Sequence, residues 1–261
     1  MTYLNQKANQ KLNTRQIRVF KKVKDKQSLQ MLTCYDYQTA QLLNESNLDL
    51  ILIGDSVGNV ILGYENTIEV SVDTMILFSK AVKKGSPDKF VIADLPFGSY
   101  ASLEMGLTNA IKLFQQSGVE AIKLEGAYPH ELQLIERLTQ IGIPVMGHIG
   151  LTPQSVHEQG GYYVHGKDER SQKKLLNEAL ALEAAGCFSI VLEFVEENLA
   201  QKITDKLTIP TIGIGSGTQT DGQVLVINDL LHLGKVTPPK FCKPIANLYE
   251  TKKQLINEYL N

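Results

Sequence analysis

The residues of this 261-residue chain with the clearest capacity for chemistry stand at the ends of apolar segments. Asp36 closes MLTCYD (31–36), and Asp55 closes LDLILIGD (48–55) with Ser56 directly after it. Asp94 lies in KFVIADLP (89–96), Lys123 and Glu125 in AIKLEG (121–126), His148 in PVMGHIG (144–150) and Glu193 in FSIVLEF (188–194). One acidic residue at such a position is commonly a helix cap or a turn former. Repetition on successive segments points instead to a shared site. Crowded like charges raise each other's pKa values unless a cation neutralises them, and Lys123 is one cation against Asp55, Asp94, Glu125 and Glu193. A hard divalent ion held by two or three of these carboxylates would resolve the conflict. An all-oxygen donor set favours Mg²⁺, with Mn²⁺ as a substitute. Lys123 and Glu125 are two apart in one strand and so face the same way. His148 reads equally as a satisfied core histidine or as a participant.

The elements that must position these groups are legible as apolar runs separated by helical patterns. Two further runs, PTIGIGS (210–216) and QVLVIND (223–229), bring the candidate strands to eight. Most are near-continuously apolar, as suits parallel strands covered on both faces. Between them, Leu103, Leu107, Ala110, Ile111 and Phe114 share one helical face, and the pattern stops at Gly118. The same punctuation recurs at Gly142 and Gly186. Alternating units of this kind predict an α/β fold, and eight of them predict a (β/α)₈ barrel whose active site surrounds the C-terminal strand ends. An open doubly wound sheet is the alternative. Six residues between the last two strands leave no room for a crossover helix, so strand 8 starts later, near Asp229, or is irregular. The long interval 56–88 has room for a small hairpin, Ile61–Val70. Residues 1–14 read as a mobile tail, 16–27 as a helix capping the barrel bottom, and 243–261 as a final helix with Ile245, Leu248, Tyr249, Leu255 and Leu260 along one stripe. One domain spanning 1–261 is the expectation.

Composition narrows the function classes. With 26 basic and 28 acidic residues the net charge is −2, which gives no electrostatic reason for a nucleic-acid or membrane partner. No apolar run reaches the ~18–20 residues of a membrane span, and the polar start MTYLNQKANQ has no signal-peptide core. Three widely spaced cysteines, Cys34, Cys187 and Cys242, form neither a disulfide framework nor a zinc cluster, and a reducing cytoplasm is the simplest setting. Cys34 and Cys187 read as buried thiols. The Gly- and Tyr-rich stretch 151–167, which holds His157 and His165, reads as a structured loop or lid at the barrel mouth. IGIGSG (212–217) has neither the following helix nor the spaced acidic residue of a dinucleotide site, and no G-x-S-x-G elbow is present.

Taken in order, TCYDY (33–37), LIGDSVGNV (52–60), ADLPFGSY (93–100), IKLEG (122–126), GHIGLTPQS (147–155), VLE (191–193), IGIGSG (212–217) and TDGQVLV (220–226) resemble the ketopantoate hydroxymethyltransferase family. The resemblance runs from about Met31 to Phe241. It implies a barrel akin to the phosphoenolpyruvate mutase/isocitrate lyase superfamily, and a cytoplasmic homo-oligomer, commonly a decamer. It implies Mg²⁺, with Asp55 and Asp94 as ligands and Glu125 as a third, direct or through water. Ser56 and Lys123, together with Asp55 and Asp94, would hold the substrate 3-methyl-2-oxobutanoate, and Glu193 would be the general base. The co-substrate implied is 5,10-methylenetetrahydrofolate. Ser216 departs from the alanine that many members have, a small change expected at the strand 7 rim, and many members carry a tail beyond the last helix. The rival readings are a metal-dependent 2-keto acid lyase or mutase on the same barrel, whose lyases carry a cysteine motif not found here, and a non-catalytic binding barrel.

Overall fold

The structure, a computed structural model, describes residues 11–22 and 28–261. It forms two compact units, one running to Val224 and the other from Leu225 to Asn261. The first is a closed parallel barrel in the order β1 (Leu29–Thr33), β2 (Leu50–Ile53), β3 (Phe90–Asp94), β4 (Ala121–Lys123), β5 (Val145–Gly150), β6 (Ser189–Glu193), β7 (Thr211–Ile214) and β8 (Gly222–Leu225). Closure excludes the open-sheet alternative. Every residue of β2 and β3 is buried, as continuous apolar runs require when side chains face alternately inward and toward the helices.

The helices are α1 (Thr14–Arg18), α2 (Tyr37–Glu45), α3 (Val57–Val60), α4 (Val72–Gly85), α5 (Leu103–Ser117), α6 (Pro129–Gln140), α7 (Val156–Gln159), α8 (Glu169–Ala184), α9 (Glu197–Lys206), α10 (Ile227–Leu230) and α11 (Leu248–Leu260). Helix α5 shows how local chemistry sets the bounds. The Ser102 side chain accepts from the Met105 amide at its start, and Gly118 ends it in the left-handed region at φ 73°, which glycine adopts without a Cβ penalty.

At the bottom of the barrel, the Asn13 and Gln16 side chains cap α1 reciprocally. Ile17 is thereby fixed in the core with Leu29, Met31, Leu50 and Phe90, and Leu12 and Phe20 pack against that cluster. Phe90 meets Phe188 edge-to-face at 5.7 Å. Of the expected N-terminal helix, Thr14–Arg18 is α-helical and Phe20–Lys22 forms one 3₁₀ turn. Residues 23–27, and residues 1–10 of the expected tail, lie outside the described residues.

Two local expectations are corrected. No strand forms in 61–70. Local bonds hold this segment instead, with the Tyr64 amide donating to the Gly58 carbonyl and the Ile68 amide to the Asn66 side chain. An Asx turn of this kind competes with a strand ladder for the same backbone groups. Strand β8 occupies Gly222–Leu225 and is regular, while Asp229 belongs to α10. The β7–β8 link has no helix, and Asp221 pins it by accepting the Thr211 amide at 3.0 Å.

In the second unit, the Ile245 amide bonds to the Leu230 carbonyl and the Leu248 amide to the Leu231 carbonyl. Helix α11 begins later than expected, capped by Asn247, and buries no residue. Leu255, Ile256, Tyr259 and Leu260 are all exposed. No helix among the described residues is long and apolar enough to cross a membrane.

Candidate active site

Closing the barrel brings the strand-end polar residues together at its C-terminal face. Asp55, Asp94, Lys123, Glu125 and His148 are each no more than 4% exposed, and the Glu193 side chain, at 16%, faces the opening. Register explains the assembly, since β3 and β4 pair Asp94 with Lys123. The Lys123 ammonium stands 2.9 Å from Asp94 Oδ1, while Asp94 Oδ2 accepts the backbone amide of Asp55 at 3.2 Å. Ser56 Oγ lies 2.7 Å from the hydroxyl of buried Tyr35. Asp36 is not part of the cluster. It is exposed and caps α2 by accepting the Thr39 amide.

His148 resolves its two readings by geometry. Its Nδ1 lies 3.4 Å from Glu125 Oε1 and 3.3 Å from Lys123 Nζ, and its Nε2 lies 3.3 Å from Glu193 Oε2. Burial and Lys123 push its pKa down, but Glu125 and Glu193 outweigh them and hold it up at about 9. Lys123 is likewise raised, with burial overcome by Asp94, Glu125 and Asp55. Burial acts to raise Glu125 too, yet His148 and Lys123 leave it lowered. Four carboxylates therefore face two cations, a formal excess of two negative charges. The excess falls on Asp55 and Asp94. Burial and the neighbouring Glu125 and Asp94 push Asp55 well above the usual carboxylate range, and burial raises Asp94 against the pull of Lys123.

That excess matches one divalent cation, and the donors are oxygens, so the residues fit Mg²⁺. Among the described residues, no three or more His, Cys, Asp or Glu side chains are gathered as a ready-made cage. The Glu125 carboxylate is turned to His148 and to the Gln154 amide. Asp94 Oδ1, buried and without a hydrogen bond of good geometry, and Asp55 next to it are the available donors. Mg²⁺ is commonly held by one or two carboxylates, with substrate and water completing its shell.

Gln154 is the residue that strand-end reasoning missed. It is buried in the loop after β5, and its Nε2 donates to Asp55 Oδ2 at 2.9 Å and to the Leu95 carbonyl at 3.0 Å. Its backbone amide donates to Glu125 Oε2 at 3.1 Å, and its Oε1 accepts the Tyr100 hydroxyl at 2.6 Å. The amide thus holds one oxygen of Asp55 and leaves the other free to coordinate. The signal lay in GHIGLTPQS, where a glutamine sits four residues past the end of β5, in a loop that the barrel mouth must bury. Gln154→Met, which keeps the shape, is expected to weaken Mn²⁺ binding about 10–100-fold, read by electron paramagnetic resonance titration; unchanged affinity would remove this orienting role.

The rim is fixed by close backbone approach. A Cβ at Gly150 (φ 98°) would sit 2.2 Å from the Glu193 carbonyl, so glycine is required for β5 and β6 to meet beside the carboxylates. Phe194, directly after Glu193, takes the left-handed conformation at φ 48°. Ser216 adds what alanine lacks, since its Oγ donates to the Leu192 carbonyl at 2.8 Å and accepts the buried Val195 amide at 2.9 Å. Ser216→Ala leaves that amide unpaired and is expected to cost about 1–3 kcal/mol in chemical denaturation; an unchanged midpoint would contradict it. Burial raises the pKa of Cys34 and of Cys187 to about 12, which favours the thiol over the reactive thiolate at both.

The sequence profile described as ketopantoate hydroxymethyltransferase matches residues 12–261. The chain belongs to the ketopantoate hydroxymethyltransferase family. Proteins named 3-methyl-2-oxobutanoate hydroxymethyltransferase are similar along nearly its whole length. The one from Leptospira interrogans is 48% identical over 237 residues, covering 90% of this chain and 89% of its own. The one from Thermotoga maritima is 49% identical over 240 residues, covering 92% and 88%. Among solved structures, 2,3-dimethylmalate lyase, a PEP mutase/isocitrate lyase superfamily member, superposes with TM-score 0.60 at 15% identity, covering 94% of this chain and 85% of that one. A phosphonopyruvate hydrolase, solved with oxalate and Mg²⁺, gives 0.61 at 10% identity, covering 95% and 98%. These likenesses establish the shared barrel. Membership of the ketopantoate hydroxymethyltransferase family makes this chain an enzyme, a one-carbon transferase.

Proposed function

We propose that this chain transfers a hydroxymethyl group from 5,10-methylenetetrahydrofolate to 3-methyl-2-oxobutanoate, giving 2-dehydropantoate (ketopantoate) and tetrahydrofolate, the first step of pantothenate biosynthesis. The observation that carries the reading is the buried cluster with two surplus negative charges and one partly exposed carboxylate, Glu193, at its mouth. Asp55 and Asp94 would hold Mg²⁺, with Glu125 acting through water. The ion supplies Lewis-acid polarisation of the keto group. Lys123 and Ser56 hold the substrate carboxylate and fix its orientation. Glu193, with its Oε2 steadied by His148, removes the proton from C3. A bond then forms between C3 and the donor's methylene carbon, and both carbon–nitrogen bonds of the bridge break. Water supplies the hydroxyl oxygen; its proton and the proton from C3 end on the two folate nitrogens.

The same reading includes a cytoplasmic homo-oligomer, a decamer by family resemblance. The exposed apolar residues of α11 supply surface of the kind that subunit contacts cover. Proton exchange at C3 of 3-methyl-2-oxobutanoate in D₂O, followed by NMR without folate, tests the first half-reaction. Mg²⁺-dependent exchange is expected. Its absence from folded protein supplied with Mg²⁺ would overturn the assignment.

A further inference from the structure

A cavity of about 560 Å³ opens beside the carboxylate cluster, between the C-terminal ends of β4 and β5 and the first turns of α8. Its wall includes Gly126 and Ile149, the residues that follow Glu125 and His148 in the chain. Its volume is within the usual range of small-molecule sites, about 300–1,000 Å³. The reaction above does not place its second substrate, and the chemistry needs that substrate within reach of C3.

The lining has a definite character. Tyr163 and His165 stack with ring centroids 4.3 Å apart, presenting a flat aromatic surface. Gln159 Oε1 and His165 Nε2 are buried with no hydrogen-bond partner. Gln159 is held in place by its Nε2, which donates to Thr152 Oγ1 at 2.7 Å. Glu178 adds a second acceptor, only 22% exposed and 3.7 Å from Lys174. Unpaired buried polar atoms are costly, so this wall calls for a ligand with a planar ring and an edge rich in N–H donors. Lys167 and Lys174 line the same cavity and supply positive charge for an anionic tail. A reduced folate combines these features: a pteridine whose ring N–H and amino group form a donor edge, and a glutamate tail.

We infer that this cavity binds the one-carbon donor, with the pteridine stacked on Tyr163, its N–H edge on Gln159 and Glu178, and its glutamate tail toward Lys167 and Lys174. The inference rests on the proposed reaction and adds the place of its second substrate. It also gives the 151–167 loop two roles, because Gln154 braces the carboxylates while Gln159, Tyr163 and His165 face the donor.

Calorimetric titration of tetrahydrofolate into the wild type, Tyr163→Ala and Gln159→Met tests it. Tyr163 is 48% exposed, so its truncation leaves the core intact. Each substitution is expected to weaken tetrahydrofolate binding about tenfold, with folate-free C3 exchange within about twofold of the wild type. Affinities within about twofold of the wild type in both variants, or no binding by the wild type, would overturn the inference. Wild-type protein that binds tetrahydrofolate with the expected losses but exchanges no C3 proton would sink the proposed reaction and leave the cavity assignment standing.

Discussion

Glu193→Gln is expected to slow C3 proton exchange about 10²–10⁴-fold, the usual contribution of a positioned general base, with little change in affinity for 3-methyl-2-oxobutanoate. The substitution keeps the side chain's shape, and its amide can still lie beside His148 Nε2, 3.3 Å from Oε2 in the parent. The neighbouring Asp94–Lys123 pair and the Glu125–His148 contact are untouched. Basicity at the mouth of the cluster is what changes. Glu193→Asp, one methylene shorter, should retain exchange at an intermediate rate because the base survives at a longer reach. Exchange by Glu193→Gln at the wild-type rate would assign proton removal to another group. A proportional loss of substrate affinity would show instead that the charge of Glu193 is needed for binding.

Asp94→Asn gives the second large effect, on metal binding before any chemistry. Asparagine keeps the shape, and its one carbonyl oxygen can still accept from Lys123, which contacts Asp94 Oδ1 at 2.9 Å, while its NH2 group replaces the oxygen that accepts the Asp55 amide at 3.2 Å. Alanine would strand a buried lysine, a loss of about 3–5 kcal/mol that confounds the result with folding. The neutral side chain removes one anionic donor and reduces the surplus charge that draws a divalent ion. Outer-sphere partners of a metal cost about 10–100-fold in affinity, so loss of a direct carboxylate should weaken Mn²⁺ binding by at least about 100-fold. Keto-acid binding that depends on the ion falls with it. Mn²⁺ affinity within a few-fold of the wild type would exclude Asp94 as a ligand and leave it as the partner of Lys123.

The distinction between these variants and Gln154→Met is one of layer. Glu193 meets the reacting carbon and Asp94 the ion, whereas Gln154 holds Asp55 and Glu125 in the directions they need. The amide is itself oriented, because the Tyr100 hydroxyl donates to Oε1 and forces Nε2 toward Asp55 and the Leu95 carbonyl. A three-partner side chain of this kind rigidifies a polar site at little cost, since each of its groups is satisfied. Tyr162, in the same loop, has its pKa raised by burial and by the charges of Glu193, Asp55 and Glu125. The loop thus reaches from the cavity to the cluster.

The amino-acid sequence by itself determined the alternating strand and helix units and the strands that carry the polar residues, while closure of the sheet into a barrel was decided by the tertiary structure. Continuous apolar runs such as LILI and FVIAD have one stable use, burial on both faces, and the glycines after α5, α6 and α8 mark where each helix must stop. Because strand periodicity is local, it also placed Asp55, Asp94, Lys123, Glu125 and Glu193 at one face. Periodicity does not say which residues of different strands touch. That was decided by closure and register, which set Asp94 beside Lys123 and His148 between Glu125 and Glu193. So a histidine open to two readings became the second cation, and the surplus charge became two. Asp36, alike in sequence, was left outside as a helix cap. Tertiary structure also decided Gln154, because its importance comes from partners 29 to 99 residues away in the chain. No local pattern encodes a contact of that span; it exists because the loop after β5 folds back over the barrel mouth and must satisfy its buried polar groups there.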